Sequence, residues 1–218
     1  MSTSSVKTLN AAEVQQMFLH IGEEIINAKD MLGKIDSEIG DGDHGAGMAT
    51  GAEAFTAKLQ EASCHNVNAV FKVTGMEMMK SMGGASGVIF GTMFSGGVKN
   101  LPAKETLDTN TLAAIFGEST EAVKKRGKAS VGDKTMIDAL EPASEALKKA
   151  AGEGKGLYDS VADAEEAANQ GVEYTKNLEA KFGRAKTLGE RALGFQDAGA
   201  TSVWLIFKSM RVWMEKNE

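Results

Sequence analysis

The sequence predicts an all-α protein, an antiparallel bundle of eight helices, from three observations. Only two of its 218 residues are proline, and long helices exclude proline. Alanine and methionine, the latter with 12 copies, are plentiful; both suit helices, and methionine fills irregular helical cores. Apolar residues recur at helical spacing along the whole chain, with no strand alternation to compete.

Val14, Met17, Phe18, Ile21 and Ile25 form the first apolar stripe, and Asn10 stands three residues before Glu13 as in a capping box. This helix should end near Gly33. A second helix is expected over about 47–59, a third over 68–81, and a fourth over 86–98, directly after Gly83-Gly84. Leu112, Ile115, Phe116, Ala122 and Val123 mark a fifth, with Gly127 as its C′ residue. Met136, Leu140, Ala143 and Leu147 make the sixth, which Pro142 should kink or start late. After the flexible link Gly152-Glu153-Gly154-Lys155-Gly156, a long seventh helix carries Leu157, Val161, Ala164, Ala168 and Val172 and is stopped by Gly183. The eighth, from about 199 to 214, carries Val203, Ile206, Phe207 and Met210. The β-like run 203–207 is too short to outweigh its helical context. Short connections make sequential helices antiparallel, and residues 1–218 read as a single domain.

A chain that is 42% hydrophobic and 25% charged can bury a sizeable core. Its net charge of -6 disfavours direct binding to nucleic acid or to anionic membranes. Residues 1–7 lack the apolar run of a leader, and no stretch has the apolar length to cross a bilayer. The single cysteine, Cys64, cannot form an internal disulfide, which points to a reducing compartment, with the cytoplasm as the default.

The chemistry concentrates in glycine-rich connections. Asp36-Ser37-Glu38-Ile39-Gly40-Asp41-Gly42-Asp43-His44-Gly45 places three aspartates within eight residues. Carboxylates that close repel one another unless a cation lies between them, and a hard oxygen-seeking ion such as magnesium is the simplest candidate. The competing reading is a solvated Asp-Gly turn. Gly40-x-Gly42-x-x-Gly45 imitates a dinucleotide fingerprint, but no strand precedes it. A second loop, Met82-Gly83-Gly84-Ala85-Ser86-Gly87, opens a helix whose free N–H groups suit a phosphate, or else a close helix contact. His44 suits phosphate donation or a helix cap. Arg184 and Arg191 suit phosphate or carboxylate pairing, and Met136 suits padding an adenine ring or filling the core. His20, His65 and Cys64 have no chemical neighbours in sequence and read as structural or surface residues.

Taken together, Glu38-Ile39-Gly40-Asp41-Gly42-Asp43-His44-Gly45, Gly83-Gly84-Ala85-Ser86-Gly87, Arg126-Gly127-Lys128, Gly132-Asp133-Lys134-Thr135-Met136, and the run from Gly183-Arg184-Ala185 to Gly199-Ala200-Thr201-Ser202-Val203 resemble the nucleotide-binding L subunit of dihydroxyacetone kinases. The resemblance implies an eight-helix barrel whose loops at one end hold ADP or ATP through two magnesium ions. It implies Asp36, Asp41 and Asp43 as metal ligands. His44, Gly45, Ala46, Gly47, Ala85 and Ser86 would line the phosphates, while Gly127, Met136, Arg184, Asp197, Ala198 and Gly199 would contact the nucleotide. No separate catalytic side chain is implied, since metal and phosphate ligands carry the transfer. Ala198 stands where the family usually has proline, Gly47 where it has asparagine, Phe195 where it has histidine, and Val88-Ile89 where it has Pro-Leu; no metal ligand is lost.

The implied activity is phosphoryl transfer to a hydroxyl of dihydroxyacetone or of another small ketose such as erythrulose, with a separate K-type subunit holding the ketone. The phosphate would come from ATP, or from a phosphotransferase protein linked to phosphoenolpyruvate that recharges bound ADP. A fatty-acid-kinase-like nucleotide domain and a non-enzymatic signalling subunit are the rival classes. A homodimer is compatible with all of these.

Overall fold

Asn10 begins the first helix as its spacing from Glu13 predicts. Its Oδ1 accepts from the N–H groups of Ala12 and Glu13, and Glu13 Oε2 accepts from the Asn10 N–H at 2.7 Å. The computed structural model describes residues 8–217, to which all that follows refers; the expectation of no leader falls on residues 1–7 and lies outside them. The helices are α1 Ala11–Asn27, α2 Lys29–Ile39, α3 His44–Glu61, α4 Val67–Ser81, α5 Gly84–Gly97, α6 Thr109–Gly127, α7 Ile137–Gly152, α8 Leu157–Thr175 and α9 Ala198–Lys216. Two-residue strands β1 Leu9–Asn10 and β2 Thr106–Leu107 pair antiparallel. None of these helices is long and apolar enough to cross a membrane.

Eight of the helices close a ring. Each of α1/α3, α3/α4, α4/α5, α5/α6, α6/α7, α7/α8, α8/α9 and α9/α1 is a packed pair, while α2 lies outside against α3 and α9. The interior is bridged by buried aromatic rings: Phe18 of α1 meets Phe71 of α4 at 4.7 Å, Phe71 meets Phe116 of α6 at 6.3 Å, and Phe116 meets Phe207 of α9 at 4.7 Å. The ring alternates in direction. At one end β1 and β2 join the starts of α1 and α6, Val67 N–H donates to Lys104 O at the start of α4, and Thr109 Oγ1 donates to Lys155 O before α8. The N-termini of α3, α5, α7 and α9 therefore share the opposite end.

Four expectations are corrected. The first helix does not run to Gly33; it breaks at Ala28 and resumes as α2. Ile25, Leu32 and Ile39, all buried, keep a seven-residue spacing across the break, so periodicity does not register it. Gly127 is helical, and Lys128 takes the left-handed cap instead, at φ +57; a Cβ on Gly127 would lie 3.3 Å from Ile89 Cδ1, so that glycine serves the contact with α5. The seventh helix of the sequence ends at Thr175, well before Gly183. There Thr175 Oγ1 donates to Val172 O and accepts the Asp197 N–H, occupying the helix end.

Pro142 neither delays nor interrupts α7, which begins five residues earlier at Ile137. Proline has no N–H for the Asp138 carbonyl one turn back, and that carbonyl lies against Gly171 of α8, where any Cβ would collide with it and come within 2.8 Å of Ala139 Cα. Two backbones thus touch with nothing between them. Gly171→Ala is expected to destabilise the fold by roughly 1–3 kcal/mol or more through overpacking, read as a lower urea midpoint at unchanged slope.

Candidate functional site

The acidic trio is assembled by a backbone contact. A Cβ on Gly45, in the first turn of α3, would strike the Lys29 carbonyl and come within 2.5 Å of Gly33 N. Only glycine at position 45 lets α2 lie directly on α3, and this brings Asp36, in the last turn of α2, beside the loop that follows it. Gly42, at φ +77, reverses that loop between Asp41 and Asp43, a conformation glycine adopts without penalty. Asp36 Oδ2 then accepts from the His44 N–H at 3.3 Å. One carboxylate oxygen from each of Asp36, Asp41 and Asp43 lies within 4.8 Å of the others.

The electrostatics of the trio are unbalanced. Burial, then the charges of Asp41 and Asp36, hold the Asp43 carboxyl above the usual carboxylate range; Arg184 pulls it the other way. Arg184 Nε meets Asp41 Oδ2 at 2.5 Å, so three carboxylates face one guanidinium. Crowded oxygen donors with excess negative charge fit a hard divalent cation.

Helix ends complete the rim. The helices that start at the far end are largely capped by side chains, α1 by Asn10, α4 by Asn66 and α6 by Asp108, whereas α3, α5 and α7 have no side-chain cap. Their first N–H groups, with the positive ends of the helix dipoles, suit an anion. His44, Gly45, Ala46 and Gly47 form the first turn of α3; Ala85 and Ser86 are exposed in the first turn of α5, after Gly84 at φ +69. Met136 precedes α7 and is 5% exposed. A Cβ on Gly199 would stand 3.4 Å from Met136 Cβ, so the starts of α7 and α9 touch.

His44 links two of these helices. Its Nε2 lies 2.8 Å from Ser202 Oγ on α9, and its ring centroid is 5.9 Å from that of Phe90 on α5. Ser202 Oγ donates to Ala198 O, which leaves its lone pairs to accept from His44. Burial holds the imidazole below its usual pKa despite Asp36 and Asp43 nearby.

Asp197 caps α9 by accepting the Ala200 N–H at 2.7 Å. Burial pushes its carboxyl up to about 7, against that bond and Lys134, and with Asp138 and Asp36 adding repulsion. An acid raised from 3.8 to about 7 on folding stabilises the fold fully below the lower value and loses that contribution as pH rises to the upper one. Asp197→Asn can still cap the helix, so it is expected to flatten the fall in stability across this window. Urea unfolding in chelator near pH 4 and near pH 7 checks it; parallel pH profiles would refute it.

The structure therefore joins Asp36, Asp41, Asp43, His44 and Arg184 by direct contact, and Met136 with Asp197, Ala198 and Gly199 at the α7/α9 junction. Ala85, Ser86 and Gly127 lie at the same end on α5 and α6 without touching the trio. Arg191 turns inward on its own segment, Nε to Leu188 O at 3.4 Å, and takes no part. Sequence reasoning missed Ser202, which lies one helical turn beyond Ala198 and so on the same face. It also missed the carboxylates that shape the loop before α7. Asp138, fully buried, accepts from the Gly132 and Thr135 N–H groups at 2.6 and 2.7 Å, and Asp133 accepts from the Ser130 N–H at 2.7 Å.

The DAK2 domain model matches residues 38–212. The chain is 39% identical over 189 residues to the ADP-binding subunit DhaL of PEP-dependent dihydroxyacetone kinase 1 of Listeria innocua, covering 87% of this chain and 89% of that one. It is 32% identical over 203 residues to the ADP-binding subunit DhaL of the PEP-dependent dihydroxyacetone kinase of Escherichia coli, covering 93% and 97%. The crystal structure of the dihydroxyacetone kinase from C. freundii in complex with AMP-PNP and Mg2+ superimposes with a TM-score of 0.69 at 25% identity. That match takes in 97% of this chain and 36% of the C. freundii kinase, so this chain spans about a third of that protein.

Proposed function

This chain belongs to the DAK2 domain family, and on that premise we propose that it is the nucleotide-binding, phosphoryl-transferring subunit of a dihydroxyacetone kinase, a phosphotransferase with an alcohol acceptor. The observation that carries the reading is the convergence of Asp36, Asp41 and Asp43 within 4.8 Å at the barrel end where α3, α5 and α7 start uncapped. The three aspartates would hold magnesium, as two ions. Bound there, the metal supplies charge neutralisation for the carboxylates and phosphates and Lewis-acid polarisation of the transferring group.

The protein's own groups position and stabilise. The free N–H groups of Gly45 and Ala46 would face the phosphates from α3, in a turn that His44 and Gly47 complete with their own N–H groups bonded to Asp36 Oδ2 and Asp43 O. The N–H groups of Ala85 and Ser86 would face them from α5, with the Ser86 hydroxyl as a further donor. His44, whose Nε2–H is held by Ser202 and whose pKa burial lowers, fixes the α3 turn against α9. Arg184 shares its guanidinium between Asp41 and phosphate oxygens. Gly127, Met136, Asp197, Ala198 and Gly199 line the nucleoside side. An acidic chain holds a polyanion in this way because the cations are local.

The ketone acceptor is assigned to a separate K-type partner, in keeping with the relatives' names as ADP-binding subunits. The relatives' names describe PEP-dependent enzymes, and we take a phosphotransferase protein that recharges bound ADP as the phosphate source. The test supplies the purified chain and its K-type subunit with dihydroxyacetone and either ATP alone or phosphoenolpyruvate with the phosphotransferase proteins. Product from the relay alone supports the full reading. Product from ATP alone overturns the relay, and product from neither overturns the kinase assignment.

A further inference from the structure

One buried charge at this end of the barrel has no role in the nucleotide reading. Lys134 is 2% exposed and sits at φ +56, a backbone region that side-chain-bearing residues seldom occupy. Its ammonium donates to three main-chain carbonyls, Thr175 O at 2.7 Å, Ala192 O at 2.9 Å and Phe195 O at 2.6 Å. The three acceptors bracket a single segment, residues 176–197, which leads from the end of α8 to the start of α9.

That segment has little else to hold it. Only Ala180 and Ala192 within it are buried, and Phe182, Leu193 and Phe195 are exposed. Residues Arg184–Ala192 wind as 3-10 turns broken at Gly189. Stretches with few apolar contacts open at low free energy, so polar ties decide the placement. Lys181 adds two ties to the loop that carries Lys134: its N–H donates to Asp133 O at 3.1 Å, and its Nζ to Asp133 Oδ1 at 2.6 Å. Gly194 N–H donates to Lys176 O at 2.7 Å, drawing the two ends together. Arg184 lies between the tied ends and reaches Asp41.

We propose that Lys134 is a positioning residue whose buried ammonium latches both ends of segment 176–197 and so holds Arg184 at the acidic trio. The consequence for ligand affinity rests on the nucleotide reading above; the latch itself does not. An ammonium offers three donors for three carbonyls. A methionine of similar length fills the space and leaves Ala192 O and Phe195 O without the ammonium, while Thr175 O keeps the Leu178 N–H at 3.2 Å.

The test uses the full chain as wild type, Lys134→Met, Arg184→Ala and the double variant, with magnesium-ADP titrated by calorimetry and amide exchange followed by residue. Arg184→Ala is expected to weaken binding about tenfold, the order of one charge-assisted hydrogen bond. Lys134→Met should weaken it by about the same factor and the pair by no more than either, because contributions routed through one residue do not add. Exchange should rise about tenfold or more within 176–197 and stay unchanged in α4 and α5. Additive losses, or faster exchange spread evenly through the helices, would overturn the latch and leave Lys134 a general stabiliser. If the wild type binds no magnesium-ADP, the nucleotide reading fails and the exchange pattern alone decides the latch. If Lys134→Met does not fold, Lys181→Ala replaces it: faster exchange confined to 176–197 supports the latch, and unchanged exchange refutes it.

Discussion

Asp43→Asn, and separately Asp41→Asn, should abolish magnesium-dependent binding of ADP, a loss of more than about 100-fold, since perturbing even the supporting shell of a metal site costs 10–100-fold. Asparagine keeps the shape of the side chain and one acceptor oxygen but removes the charge a hard cation requires. The apo fold should respond in the opposite sense. Asp43 is exposed, yet partial desolvation of its carboxyl group with repulsion from Asp41 and Asp36 already holds its pKa up. Neutralising it relieves that repulsion, so thermal stability in chelator should stay level or rise. Asp41→Asn also releases Arg184 from its partner at 2.5 Å. Calorimetry of ADP with and without magnesium is the measurement. Retained magnesium-dependent affinity would remove the trio from the site, and a fall in apo stability would make it structural.

The pairing of these two outcomes explains why this part of the site was legible in the chain. Asp36, Asp41 and Asp43 are neighbours in sequence, so their crowding can be read before any fold is known. The helices were legible for the same local reason, as in the stripe from Val14 to Ile25. What depends on distant partners was not. His44 meets Ser202 across 158 positions, and Lys134 meets carbonyls 41, 58 and 61 residues away. A lysine in a Gly-Asp-Lys-Thr run carries no mark of burial. The break at Ala28 escaped for a different reason: the apolar spacing continues through it, and neither proline nor glycine marks the site.

Gly45 shows how that hidden geometry reaches the chemistry. Gly45→Ala places a methyl group against the Lys29 carbonyl and within 2.5 Å of Gly33 N, both backbone atoms of α2. Backbone cannot rotate aside as a flexible side chain can, so the two helices must separate. Overpacking of this kind typically costs 1–3 kcal/mol and occasionally more; with rigid atoms on both sides, about 3 kcal/mol is the expected fall in unfolding free energy. The separation moves α2 away from α3 and carries Asp36 from Asp41 and Asp43, whose oxygens now lie within 4.8 Å. Magnesium-ADP affinity should therefore collapse as far as in Asp43→Asn, although no charge has been removed. Gly83→Ala is the control, because a Cβ at Gly83 meets nothing within 4 Å and its φ of -77 is open to any residue. If Gly45→Ala lost stability yet bound magnesium-ADP with wild-type affinity, the approach of α2 to α3 would serve the fold alone. The trio would then be set by its own loop.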